Sequence, residues 1–282
     1  MTGTRRFLLI AIGVCAGAGC LFPSLDDLSG DDASKGNDAS DVVTTSDVTS
    51  PSDGGGDASD APKGRFCDGV DATFCEDFDE PDGNYLSRWT SFDLGGGNTL
   101  ALETDATTSA PNALYAEIPA NLTGGASVAL DLAPNLTQYD YSFAVRLEPY
   151  DAGAGLVLFN QIEVDAIDAA AAYTEYRLVQ AAVGTTFHTH VYFPDGGSVI
   201  SNLPLTTSFV PGQWYHVDVQ LTVAPPPAKV TLTVDGAPAL AATIPEATNG
   251  AGTSWFLAGI SHTYAPTGTW RVEVDDVIMR AK

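Results

Sequence analysis

Through much of the chain after residue 110, apolar and polar residues take turns. Tyr141, Phe143, Val145 and Leu147 fall on one side of a period of two, with Ser142, Arg146 and Glu148 among the residues on the other. Tyr215, Val217, Val219, Leu221 and Val223 alternate in the same way with His216, Asp218, Gln220 and Thr222, and Val230, Leu232 and Val234 repeat the pattern. Further strands are predicted at 114–118, 126–132, 156–166, 174–181, 186–193, 255–262 and 270–279. Turn signals separate them, among them Pro194-Asp195-Gly196-Gly197 and Asp235-Gly236. No long segment has apolar residues at helical spacing. Ten or more strands within residues 65–282 predict an all-β domain, folded as an antiparallel sandwich of two sheets.

The first 64 residues follow other rules. Arg5 and Arg6 precede an apolar run from Phe7 to Ala16, and small residues lead to Cys20. Ten apolar residues are too few to span a bilayer as a helix, so residues 1–20 read as an export signal. The stretch resembles the lipobox of bacterial lipoproteins, with Gly17 in place of the usual leucine three residues before the cysteine. That resemblance implies cleavage before Cys20, lipid on its thiol and a membrane partner through that lipid. The alternative is a plain secretory signal. Leu21, where the sorting rule of some bacteria would need an aspartate for inner-membrane retention, points to the outer membrane or cell surface. Residues 21–64 hold ten aspartates, from Asp26 to Asp60, and no aromatic residue after Phe22. Such a segment has nothing to bury and is expected to be a disordered acidic tether. Its length gives it a reach on the order of 130 Å. Calcium capture by these aspartates is the competing reading, but they lack the spacing of a calcium loop.

Charge narrows the function. Over the 282 residues, 12 Lys and Arg stand against 36 Asp and Glu, a net charge of −24, which excludes a nucleic-acid binder working through a basic face. Of the four cysteines, Cys15 leaves with the signal and Cys20 takes the lipid. Cys67 and Cys75, with seven residues between them in an exported chain, are expected to form a disulfide. A metal pair is the alternative, and it lacks two further ligands nearby.

Five landmarks occur in order: Phe74-Cys75-Glu76-Asp77-Phe78-Asp79 followed by Trp89, Tyr141 to Arg146, Pro211 to Val217, Val230 to Gly236, and Arg271 to Val277. Together they resemble the concanavalin A-like lectin and glucanase jelly roll, laminin-G-like modules included. The resemblance implies two packed sheets, Trp214 as a core plug, a hairpin at Asp235-Gly236, and a last strand beside the first. It also implies a face that binds saccharides, and a structural calcium held by Asp77 or Asp79 with Asp275 or Asp276; no other cofactor is required. Read without an ion, Asp275 faces out on a solvated edge.

Two segments carry candidate chemistry. Glu163-Val164-Asp165-Ala166-Ile167-Asp168 resembles the catalytic strand of family 16 glycoside hydrolases, which implies Glu163 as nucleophile, Asp165 as its helper and Asp168 as acid/base. Read as packing alone, Gln161, Glu163 and Asp165 face water, and the tryptophans of that family are missing around this strand. The second segment is Phe187 to Phe193, where His188, His190 and Tyr192 share one side. With His216 on a neighbouring strand they would form a zinc site. As a His/Tyr pair they would suit proton abstraction in a polysaccharide lyase, although no Arg or Gln motif surrounds them in the sequence. As a sugar-binding strip they would be joined by Tyr173 or Tyr176. The expected function is therefore a lipid-anchored, non-catalytic binder of glycan or of an envelope protein. A β-glucan hydrolase and a purely structural or adhesive surface module are the alternatives.

Overall fold

The structure, a computed structural model, describes residues 66–80, 85–104, 108–109, 111–148, 156–165, 173–181, 184–193, 195–245, 252–264 and 267–282. The signal at 1–20, Cys20, the tether at 21–64 and Asp168 lie outside them. Among the described residues fifteen strands run in chain order: β1 Phe74–Glu76, β2 Ser91–Leu94, β3 Thr99–Glu103, β4 Ala113–Ile118, β5 Ala126–Leu132, β6 Gln138–Leu147, β7 Leu156–Asp165, β8 Tyr173–Ala181, β9 Gly184–Tyr192, β10 Ser198–Pro204, β11 Trp214–Thr222, β12 Ala228–Val234, β13 Ala237–Ile244, β14 Ser254–Tyr264 and β15 Trp270–Ala281. A single 3-10 turn, Tyr85–Arg88, is the only helical element among the described residues.

All pairings are antiparallel, and they build two sheets. The first has the order β13-β12-β11-β6-β15-β4-β3, with β1 added on β15; the second has the order β10-β9-β8-β7-β14-β5-β2. One core lies between them. It takes Phe143, Val217, Leu232, Val274 and Trp270 from the first sheet and Phe159, Ile162, Tyr176, Phe187 and Phe256 from the second. The alternation that predicted the strands is the reason, since every second residue of a strand turns to the same side. The last strand pairs with the first, with Cys75 opposite Ile278. Asp235 and Gly236, with φ of 51° and 74°, make the tight turn from β12 to β13.

Trp214 is not the core plug. It opens β11 on the outward side, opposite Arg146, while Tyr215 turns inward and accepts the N–H of Val210 on its hydroxyl at 3.0 Å. The buried tryptophans are Trp270 and Trp89, the latter packed against Phe74, Phe78 and Phe256. Cys67 and Cys75 form the expected disulfide, with their Cα atoms 5.7 Å apart. Closing so short a loop restricts the unfolded chain by about 2–3 kcal/mol. Replacing both cysteines by alanine is expected to lower the unfolding free energy by that amount, read from urea melts.

Two facing irregularities position the site. On β7 the inward residues are Val157 and Phe159, then Ile162 and Val164, so the parity changes at Asn160, whose φ is 46°. On β14 Phe256, Ala258 and Ile260 point inward, and the register then shifts before His262. The Asn160 Oδ1 accepts the Gly259 N–H at 3.0 Å and locks the two bulges together. Beyond them Gln161 and Glu163 emerge on the outer face of the seven-stranded sheet.

Candidate functional site

The outer face of that sheet gathers chemistry that is scattered along the chain. Successive cross-strand partners form one row: Asp131 on β5, Trp255 on β14, Glu163 on β7, Glu175 on β8, His190 on β9 and Ile200 on β10. Beside it, Tyr173 pairs with Tyr192 and Arg177 with His188. Directly opposed residues of antiparallel strands share a face, so these side chains are neighbours.

The contacts bear this out. Arg177 Nη1 lies 2.5 Å from Glu175 Oε2, and the Tyr192 hydroxyl donates to the same oxygen at 3.3 Å. Gln161 donates through Nε2 to Glu163 Oε2 at 3.3 Å and also reaches the Glu175 carboxylate. Tyr192 is stacked between Tyr173 and His190, with ring centroids 4.2 and 3.7 Å away. An open cavity of about 320 Å³ is lined by Gln161, Glu163, Glu175, Arg177, Tyr192, Leu257, Ser261 and His262.

Although these residues point outward, Arg177 is only 4 % exposed and His190 and Glu175 only 8 %. Enclosure sets their charge states. Burial, helped by the nearby Arg177 guanidinium, pushes His188 down to about 4 and lowers His190 and His262, so all three imidazoles are neutral at neutral pH. Burial raises Glu175, and Arg177 pulls it back. Arg177 Nε, His188 Nε2 and both ring nitrogens of His190 are buried and make no hydrogen bond. Four such atoms therefore lie together on the adjacent strands β8 and β9, where a ligand with hydroxyl groups could satisfy them.

The expected site residues separate accordingly. His188, His190, Tyr192, Tyr173 and Glu163 come together. Tyr176 does not: it points into the core, because it has the parity of Thr174 and Leu178 rather than that of Tyr173. His216 lies on β11 of the other sheet, its Nε2 3.3 Å from Asp218 Oδ1, so the three-histidine zinc site does not assemble. Asp165 has its Cα opposite Tyr173, at the end of β7. Gln161 does not face water but is nearly buried, and with Arg177 it supplies the Gln and Arg that the sequence did not place near the histidines. Sequence reasoning missed Glu175, Arg177, Trp255 and His262. The alternation Tyr173-Glu175-Arg177 against Thr174-Tyr176-Leu178 was the available signal for the first two.

The four carboxylates expected to hold calcium behave differently from one another. Asp275 does not face out; it is fully buried, accepts the N–H groups of Thr108 and Ser109 at 3.1 and 3.0 Å, and is pushed up to about 7 by burial and then by Asp276. Asp276 accepts the Thr108 hydroxyl, and Asp79 accepts the Asn112 N–H. Asp77 instead belongs to a group with Glu76 and Glu80, whose ligand atoms lie within 4.8 Å of one another. Glu76 is fully buried and raised to about 7, chiefly by burial, and its Oε2 makes no hydrogen bond, the nearest cation being Arg88 Nε at 3.9 Å. Three clustered hard oxygens, one of them buried in this way, fit a divalent cation such as calcium.

No family model matches the sequence, and no curated protein matches it either. Solved structures do. An alginate lyase, Aly36B, seen in complex with alginate trisaccharide, is 15% identical over 60% of this chain and 82% of its own, with a TM-score of 0.45. The cellulose induced protein Cip1 is 11% identical over 74% and 97%, with a TM-score of 0.49. An endo-β-1,4-glucuronan lyase from the fungus Trichoderma reesei is 15% identical over 75% of this chain and 96% of its own, with a TM-score of 0.59, and it is with this lyase that the chain shares its two-sheet sandwich fold.

Proposed function

We propose that the outer face of the seven-stranded sheet holds a stretch of glycan chain without cleaving it, and that lipid on Cys20 and the acidic tether at 21–64 present it at a bacterial cell surface. One observation carries this reading: the buried, hydrogen-bond-deficient nitrogens of Arg177, His188 and His190 beside an open polar cavity, with Tyr192 and Trp255 on the same face. Polar groups bordered by aromatic surface are what a hydroxyl-rich ring with apolar faces needs. The glucuronan lyase that shares the fold supports it, as does the resemblance of the five landmarks to concanavalin A-like jelly rolls. In the same reading Glu76, Asp77 and Glu80 would hold a structural calcium, which would neutralise their mutual repulsion near the start of the domain.

A screen of the protein against immobilised glycans tests the proposal. Retention of at least one glycan is expected, weakened about tenfold by His190→Ala with the near-ultraviolet dichroism unchanged. A folded protein that retains none supports the structural or adhesive module instead. A second reading has its own observation. Gln161 and Arg177 stand with His190 and Tyr192, and β-elimination next to a carboxylate needs such groups to neutralise the acid and move a proton. Release of an unsaturated product, abolished by Tyr192→Phe, would replace binding by that chemistry. Release of reducing ends, abolished by Glu163→Gln, would replace it by hydrolysis.

A further inference from the structure

We propose that the glycan recognised on this face carries amino groups rather than carboxylates. The inference rests on the glycan reading above and adds the charge of the ligand. Across its seven strands the sheet presents Asp93, Asp131, Glu163 and Glu175, and Arg177 is the only Lys or Arg in those strands. That one cation is already committed. It is almost wholly buried and lies 2.5 Å from Glu175. A uronate entering the cavity would have to share the Arg177 guanidinium with Glu175, which sets two carboxylates against one enclosed cation. The imidazoles compensate little, because enclosure beside Arg177 disfavours their charged forms, holding His188 down to about 4 and lowering His190. The whole chain, with 36 acidic against 12 basic residues, repels polyanions at longer range.

For an ammonium group the same features are favourable. Glu163 is partly exposed, lines the cavity and is steadied by Gln161. Trp255 is its cross-strand partner, one strand spacing of about 4.8 Å away. A pyranose lying beside Trp255 therefore has its substituents within reach of the Glu163 carboxylate, and the aromatic ring itself attracts a cation. His188, held down to about 4, adds no repulsion.

The experiment is calorimetric titration of the full chain at about pH 6 with three hexamers that differ in charge: glucosamine hexamer, cellohexaose and hexaglucuronate. Hexalysine serves as a cation without sugar rings. The glucosamine hexamer is expected to bind at least tenfold more tightly than cellohexaose, with hexaglucuronate undetectable. The preference is expected to shrink to less than threefold in Glu163→Gln and in high salt. Equal binding of glucosamine hexamer and cellohexaose overturns the charge inference and leaves the glycan reading standing. Tightest binding of hexaglucuronate also overturns it, and favours the elimination reading. Hexalysine binding as tightly as the amino sugar overturns it by showing charge attraction alone. A folded chain that binds none of the saccharides overturns both.

Discussion

Gly259→Ala is expected to destabilise the protein by on the order of 3–5 kcal/mol, enough to unfold a domain of ordinary stability at moderate temperature. Gly259 has a φ of 101°, in the region that residues with a side chain rarely adopt. A methyl group there would lie 2.6 Å from the carbonyl oxygen of Ala126 and 3.2 Å from the Cα of Ser127, both backbone atoms of the adjacent strand β5. Neither can swing aside as a side chain would, so β14 would have to separate from β5. That movement strains the Gly259 N–H bond to Asn160, and with it the paired bulges that turn Gln161 and Glu163 outward. Stability and ligand binding should therefore fall together. Gly236→Ala is the control: its φ is 74° but a methyl group there meets nothing within 4 Å. That change is expected to lose only about 1 kcal/mol. Urea unfolding of the two variants checks the difference, and similar losses would show that the contact with β5 is unimportant.

The same bulges explain how much of the molecule its sequence discloses. Strands with uninterrupted alternation were legible: 126–132 coincides with β5, and β6, β11 and β12 lie where the period of two places them. The short edge strands β2, β3 and β10 were not. Their residues are mostly exposed or half-buried, so neither side is marked as apolar. Tyr176 was misplaced and Glu175 overlooked for a different reason. Between 173 and 181 the outward residues are nearly as buried as the inward ones, and polarity alone does not say which way a strand faces. His216 resembled a partner for His188 because both lie on alternating strands; only the division of the strands between two sheets separates them. Composition located the site no better, since Trp255 meets Glu163 through a pairing of residues ninety-two positions apart.

Arg177→Met is expected to be the most damaging substitution within the site itself, at about 3–5 kcal/mol at pH 7, because it leaves Glu175 enclosed and charged without a partner. The pH dependence distinguishes this cause from lost packing. Burial already raises Glu175 above the usual carboxylate range, with Arg177 opposing the rise. Without Arg177 it rises further. A carboxyl whose folded value exceeds its unfolded value contributes stability that is fully present below the unfolded value and is lost as pH climbs through the folded one. The deficit of the variant should therefore be large at pH 7 and small near pH 4.5, where Glu175 is protonated in the variant and the native pair is weakening. A packing defect would be the same at both. Adding Glu175→Gln to Arg177→Met removes the unpaired charge and is expected to recover most of the loss at pH 7, with the binding of glycan still impaired. Urea melts at the two pH values, on the wild type, the single variant and the double variant, give the comparison. A deficit independent of pH, or a double variant no more stable than the single one, would mean that the Arg177–Glu175 pair is not what organises this face.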